Sequence, residues 1–300
     1  MIHTQAATCI FSIDVEDWFH ILDIPATPHW SQWDMLPSRV ERNFLRLLDV
    51  LDAHGVSSTC FFLGWIAERF PQLVREAVCR KHEVASHGCH HRLVSDMSPL
   101  EFRDDAARSR KILEDVGGVR VNGFRAPGFS VTARTPWFYD MVLEAGFRYD
   151  SSVFPARHGH GGLPGTDLWP HLIGDLLEFP ITLQGCLRHR VCLFGGGYLR
   201  LAPLYLIRYT TRCVLNEGRP VIFYLHPREI DSTQPRIPMP LTRSFKCYVN
   251  LETTEYKIAS LLSNFDFTTF ACLADTLLPQ CQASSMTGSH ALRAAPEGRA

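Results

Sequence analysis

An α/β fold built on a mostly parallel sheet is what this sequence predicts, on three observations. Apolar, β-branched runs alternate with amphipathic, helix-spaced segments about seven times along the chain, the pattern produced when helices connect parallel strands. Most strand-like runs read as nearly continuous apolar sequence, as strands covered on both faces do. Their C-terminal ends carry the polar residues, where the ligand sites of open α/β sheets collect. The 300 residues, 46% of them apolar, suffice for one large domain with a full core. Pattern alone leaves an open doubly wound sheet and a closed or distorted barrel equally compatible.

The first strand, Ile10-Phe11-Ser12-Ile13, runs into Asp14, Glu16 and Asp17, with Trp18 beside them. Aspartate commonly caps the turn where a strand stops. Three acids beside a tryptophan point instead to a site for a cation or a proton. A long Trp- and Pro-rich connection, His20 to Pro37, follows. Ser38-Arg-Val-Glu41 then has the form of a capping box, and Val40, Phe44, Leu47, Leu48 and Leu51 repeat at helical spacing until Gly55.

Ser58 to Leu63 is the second strand, Pro71 opens a helix with Leu73, Val74, Ala77 and Val78 on one face, and His82 to Ser86 is the third strand. Ser98-Pro-Leu-Glu101 starts another boxed helix, which Gly117-Gly118 ends. Val121 to Arg125 reads as a strand, Pro136 to Ala145 as a helix, and Phe147 to Asp150 as a strand edge. Residues 154–174 lose periodicity and read as a loop before the strand Leu176 to Ile181. Gly195-Gly-Gly197 lacks the Lys-Ser/Thr ending of a phosphate loop and reads as a flexible turn. A helix from Pro203 to Asn216, the buried strand Val221 to Leu225, a helix from about Glu252 to Phe265 and a short strand near Phe267 complete the pattern. Residues 279–300 are small and polar, so the expected domain is 1–278 with an unstructured tail.

The composition excludes several classes. With 30 basic against 31 acidic residues, nothing draws the chain broadly to nucleic acid or to anionic lipid. No apolar run approaches the roughly 18 residues of a transmembrane segment. The start, Met1-Ile-His-Thr-Gln5, has no basic region, and Asp14 interrupts the apolar stretch, so no signal peptide is expected. Ten cysteines are scattered without a Cys-x-x-Cys pair, as reduced small hydrophobes would be, which points to the cytoplasm.

His87 and His91 stand four apart after a strand, so both imidazoles can meet one ion if the segment makes a helical turn. The pair alone is weak, and His90 adds an alternative. Position strengthens it: the acids at 14 to 17, the histidines, Arg125, Asp150 and His226 all fall at or just past strand ends. Two histidines and a carboxylate leave open metal positions for water and substrate, with zinc the default and iron, cobalt or manganese as alternatives. His226 at a strand terminus suits a general acid, against a core histidine satisfied by a carbonyl. Arg125 is either a turn cap or a bidentate partner that keeps a nearby carboxylate ionised. Trp18, Trp30 and Trp33 are candidates for stacking on sugar faces, although burial is the commoner fate of tryptophan.

Together, Ser12-Ile-Asp-Val-Glu-Asp17, Ser86-His-Gly-Cys-His-His91, Phe124-Arg-Ala-Pro127, Tyr149-Asp-Ser-Ser152 and Tyr224-Leu-His226 resemble the ordered motifs of the polysaccharide deacetylase (NodB-homology) family. The likeness is strongest to its branch associated with exosortase and exopolysaccharide gene clusters. It extends from about Cys9 to Phe270 and includes Leu177-Glu-Phe-Pro180 and Gly195-Gly-Gly-Tyr198.

The resemblance implies a distorted (β/α) barrel of about seven mostly parallel strands. It also implies a metal-dependent enzyme that removes N-acetyl groups from acetamido sugars. Asp14 is then the catalytic base, His87 and His91 the metal histidines, Arg125 the partner of the base and His226 the general acid. Asp150 is the acid that helps set the charge of the catalytic histidine, and Trp18 and Pro127 are the expected substrate contacts. The first motif departs from the family pattern of adjacent aspartates, base then ligand, because Val15 intervenes and leaves Glu16 or Asp17 as the ligand. Strand alternation puts Asp14 and Glu16 on one side. If the strand has already turned, the ligand is Asp17.

The expected partner is an N-acetylated polysaccharide or oligosaccharide, with a role in exopolysaccharide synthesis at the inner membrane face. Competing readings are a small-molecule amidase of related fold, an inactive carbohydrate-binding protein, and a glycosyltransferase using Asp14-Val-Glu16 as its metal motif.

Overall fold

The computed structural model describes residues 8–22, 24–186 and 189–279. The tail expected over 279–300 lies, from residue 280 on, outside the described residues. The elements run β1 (Cys9–Val15), α1 (Val40–Asp52), β2 (Thr59–Phe62), α2 (Gly64–Arg69), α3 (Pro71–Cys79), β3 (Glu83–Ser86), α4 (Pro99–Gly117), β4 (Gly123–Phe124), α5 (Phe138–Glu144) and β5 (Tyr149–Asp150). They continue with β6 (His171–Ile173), β7 (Leu176–Glu178), β8 (Gln184–Cys186), β9 (His189–Val191), α6 (Gly196–Leu201), α7 (Leu204–Asn216), β10 (Val221–Leu225), α8 (Leu241–Tyr248), α9 (Thr254–Leu262) and β11 (Phe267–Thr268). Residues 270–279 are helical as well.

Strand β1 sits at the centre because, among the described residues, it alone pairs with three other strands, in parallel with β10, β2 and β11. The sheet has nine strands in the path β10-β1-β2-β3-β4-β5-β7-β6, with β11 beside β1. Every step from β10 to β7 is parallel, and only the edge pair β6–β7 is antiparallel. The result is a curled, open mixed sheet, a half-barrel with crossover helices on its outer face, in accord with the distorted barrel expected.

Alternation along β1 assigns its two faces. Cys9, Phe11, Ile13 and Val15 join the larger core with Leu47 and Leu48 of α1, Leu73 of α3, Ala106 of α4, Ile207 of α7 and Ile258 of α9. Ile10 points the other way, into a smaller core with Phe61, Ala85, Tyr149, Leu177 and Ile222. Phe270, Leu273 and Leu277 of the last helical segment belong to the same inner cluster, closing the concave side from below. Ser12, Asp14 and Glu16 continue the inner face above this plug.

Local signals succeeded where partners were near in sequence. The Ser98 box forms, with Glu101 N–H on Ser98 Oγ at 3.3 Å and Ser98 N–H on Glu101 Oε2 at 2.8 Å, and Gly118 closes α4 at φ +63°. The Ser38 box does not: α1 begins after Arg39 without a cap from that residue's own side chain. The loop expected over 154–174 contains β6, and α2 and α8 were not anticipated. Gly195-Gly-Gly197 is no free turn, since Gly195 precedes the first residue of α6. A Cβ on Gly195 would lie 2.1 Å from the Tyr224 ring, so only glycine admits that approach.

Candidate active site

Glu16, just past the end of β1, meets two histidines from the segment after β3. Its Oε1 lies 3.2 Å from His87 Nε2 and 2.9 Å from His91 Nε2. No helical turn brings them together. Gly88 at φ +75° and His91 at φ +53° reverse the chain instead, and a left-handed histidine is a strained choice of the kind found at working sites. His87 Nδ1 donates to the Arg125 carbonyl at 2.7 Å, so in the neutral ring Nε2 presents its lone pair. His91 Nε2 is buried, and apart from its close approach to Glu16 Oε1, which is not in hydrogen-bond geometry, it has no partner.

These buried residues form a three-residue group whose donor atoms lie within 4.8 Å of one another. Two imidazole nitrogens and one carboxylate oxygen fit a divalent cation with positions left open. Burial pushes the Glu16 carboxyl up, but His91, His226 and His87 outweigh it and hold the group well below the usual carboxylate range.

Asp14 occupies the same face two residues earlier. Arg125 Nη1 donates to Asp14 Oδ1 at 2.6 Å and to Ser12 Oγ at 2.9 Å. The grip is single rather than bidentate, because Nε and Nη2 are spent on Ser151, each at 3.3 Å. The guanidinium is fully buried, its Cζ 4.1 Å from the Phe61 ring centroid. Asp14 Oδ2 faces His226, whose Nε2 is 4.0 Å away and 3.7 Å from Glu16 Oε1.

Behind His226 stands a carboxylate that the motifs did not single out. His226 Nδ1 lies 2.6 Å from Glu229 Oε1, across one turn of 3-10 helix, and Arg200 Nε donates to Glu229 Oε2 at 2.8 Å. Burial raises the Glu229 carboxyl, but the Arg200 guanidinium and then His226 bring it down to about 2. An ionised acceptor there keeps the proton on Nδ1 and turns Nε2 to the site. Burial lowers the His226 pKa, but Glu16 and Glu229 together raise it above its ordinary value. The signal in the sequence was only a glutamate three residues after a strand-end histidine.

Other expected residues lie elsewhere. Asp17 is not with the histidines: its carboxylate accepts from Ser38 Oγ, from Arg39 N–H at 2.9 Å and from Val40 N–H at 3.2 Å, capping α1. Asp150 does not touch His226. It takes Ser152 Oγ at 2.6 Å and Ser152 N–H at 3.0 Å, and faces Glu178 across the β5–β7 pair. Trp18 and Trp33 are buried, with their indole N–H groups on the carbonyls of Pro37 and Pro28. Trp30 is half exposed and packs at a tilt against His90, outside the residues that line the cleft. Pro127 is buried, and its neighbours Ala126, Gly128 and Phe129 form that part of the cleft wall. His20, not foreseen, lines the cleft with its Nδ1 accepting from Asp17 N–H at 3.0 Å.

Asp14, Glu16, His87, His91 and His226 open together into one cleft of about 620 Å³, walled further by the loop around His158 and by Gly195 to Tyr198. A cleft of this volume admits one or two sugar rings.

Residues 28–149 match the model described as "Polysaccharide deacetylase", and residues 151–275 match a domain of unknown function, DUF3473. A peptidoglycan deacetylase-like protein of Gibberella zeae is 31% identical over 110 residues, covering 36% of this chain and 32% of that protein. The peptidoglycan-N-acetylglucosamine deacetylase of Bacillus cereus is 29% identical over 82 residues, covering 27% and 30%. The matches thus span about a third of these curated relatives. A crystal structure assigned to a polysaccharide deacetylase of Mycobacterium smegmatis superposes with TM-score 0.62 at 20% identity, covering 93% of each chain. Residues 28–149 are thus similar to the polysaccharide deacetylase family, and the half-barrel and the Glu16–His87–His91 group accord with that similarity.

Proposed function

We propose that this protein is a hydrolase that removes acetyl groups from the acetamido sugars of a polysaccharide, with a divalent metal held by Glu16, His87 and His91. The observation that carries the reading is the Glu16 carboxylate lying within 3.2 Å of two imidazole nitrogens, with Asp14 and His226 facing the same space. When bound, a divalent metal, zinc being the first expectation, supplies Lewis-acid polarisation of the acetamide carbonyl and lowers the pKa of an adjacent water.

The chain's own groups do the rest. Arg125 fixes Asp14 Oδ1, leaving Oδ2 to take the proton of the attacking water. His226, with its Nδ1–H on Glu229, presents Nε2 to the same space, where it protonates the departing sugar amine. Ser12 and Ser151 hold the guanidinium so that the base does not drift. Acetate and the free amine are the products.

The resemblance to the exosortase-associated branch supports a finer reading, action on a nascent or lipid-linked exopolysaccharide at the inner membrane face. No helix among the described residues is long and apolar enough to cross a membrane. A periplasmic pool found by cell fractionation would count against that placement. For the reaction, purified metal-loaded protein is assayed for acetate release from N-acetylglucosamine oligomers. Wild type releases acetate, and Asp14→Asn binds metal but does not. Equal release by both removes Asp14 as the base.

A further inference from the structure

We propose that the substrate of this cleft is an acidic glycan, in which the acetamido sugar stands near a carboxylate or phosphate group. The proposal rests on the deacetylase reading for its site but on different residues. Arg157 from the loop after β5, Arg228 from the turn after β10, and Arg243 and Lys246 from α8 all line the cleft. Among the described residues none of the four has a carboxylate within ion-pairing distance. The acids of the same cleft are committed inward, Asp14 to Arg125, Glu16 to the histidines and Glu229 to Arg200 and His226.

Arg228 is the sharpest case, because its Nε and Nη1 are buried and have no hydrogen-bond partner. Arg243 Nε is likewise unpartnered, while its Nη2 reaches only the Leu22 carbonyl at 3.3 Å. A buried donor without an acceptor costs free energy, so its retention in a ligand cleft points to an acceptor that arrives with the ligand. Several arginines outside the cleft do find acids, as Arg39 and Arg42 do on Asp231, and Arg80 does on Asp49, Asp52 and Glu76.

The whole chain carries a net charge of only -1, while these four cations line one cleft. Guanidinium groups suit the planar oxygens of a uronate carboxylate or the oxygens of a phosphate. Tyr198 stands at the mouth, 48% exposed and 5.9 Å from Lys246 Nζ, and offers a face on which a sugar ring can stack. The cations converge on a concave site with the amide chemistry at its floor, a shape that receives a chain end or loop rather than a flat bilayer.

The test uses zinc-loaded Asp14→Asn, which binds without turnover. Calorimetry compares a neutral N-acetylglucosamine tetramer, a tetrasaccharide alternating N-acetylglucosamine with glucuronate, and uridine diphosphate N-acetylglucosamine. The glucuronate oligomer is expected to bind about tenfold more tightly than the neutral one at low salt, with the advantage shrinking as salt rises. Adding Arg157→Gln, Arg228→Gln and Lys246→Gln together removes the preference, while Arg134→Gln, outside the cleft, keeps it. Tighter binding of the nucleotide sugar than of the glucuronate oligomer assigns the acceptor to phosphate and supports the same charge-based recognition. Equal binding of neutral and acidic oligomers, or a preference that survives the triple substitution, overturns the proposal. So does equal oligosaccharide binding accompanied by charge-dependent binding to phosphatidylglycerol vesicles, which makes the cations a membrane contact. Acetate release by wild type from the neutral oligomer alone sinks this proposal and leaves the deacetylase reading. A binding preference without acetate from any oligomer does the reverse.

Discussion

Glu229 Oε1 stands 2.6 Å from Nδ1 of His226, and this short contact sets which ring nitrogen faces the cleft. Because Arg200 keeps Glu229 ionised, the pair works as a fixed acceptor rather than as a second titrating acid. Glu229→Gln should therefore lower kcat about 10- to 100-fold with KM little changed and metal content intact. The alkaline limb of the rate profile should move to lower pH, since one of the charges that raise His226 is gone. A kcat within twofold of wild type contradicts the role.

Glu16 and Asp17 are adjacent, yet their substitutions should separate cleanly. Glu16→Gln should abolish stoichiometric metal binding, measured by elemental analysis after dialysis, with the fold retained. Asp17→Ala should keep the metal and lose about 1 to 2 kcal/mol of stability, because the first amides of α1 lose their acceptor. Equal metal content in both variants removes Glu16 from the ligand set.

Arg125 and Asp14 are both buried, and breaking such a pair leaves an uncompensated charge. Arg125→Ala should cost about 3 to 5 kcal/mol in denaturant unfolding. Arg125→Ala combined with Asp14→Asn should recover a large part of that loss, because the stranded charge is removed. Additive losses in the double variant contradict a direct pairing.

Glu178 and Asp150 face each other in fully buried register on β7 and β5. Burial first, and then the Asp150 charge, push the Glu178 carboxyl well above its usual range. The folded chain thus keeps a proton that the unfolded chain releases near pH 4.3. The stability this contributes is complete below that pH. It falls as pH rises towards the folded value, by about 1.4 kcal/mol for each pH unit over which only the folded chain holds the proton. Glu178→Gln should flatten this slope and unfold at higher temperature than wild type at pH 7, with the gap closing near pH 4. Parallel stability curves contradict a protonated Glu178.

The site was legible where strand geometry governs it. Alternation along β1 put Asp14 and Glu16 on one side but left Asp17 open as the ligand had the strand already turned, and the structure brings Glu16 to the histidines and Asp17 to the start of α1. What the pattern did not disclose was the acceptor role of Asp17, because Ser38, Arg39 and Val40 come more than twenty positions later and carry no mark of an outside cap. The convergence of His87 and His91 was right in outcome and wrong in means, since left-handed backbone at Gly88 and His91 leaves no periodic signature. Asp150 and Glu229 show the limit of motif order. The family motif pointed to Asp150 as the acid behind His226, whereas a tight turn places Glu229 there. Short elements were lost for a related reason: α2 and β6 have too few residues for a period to emerge, and tertiary partners define them.

The most direct test follows acetate release from an N-acetylated oligosaccharide while chelator-stripped protein is titrated with zinc. The account predicts no release without metal, a linear rise that ends at about one equivalent, and no rise in His87→Ala or Glu16→Gln. Acetate released by the stripped protein, or silence at full metal loading on acidic and neutral oligomers alike, would contradict it.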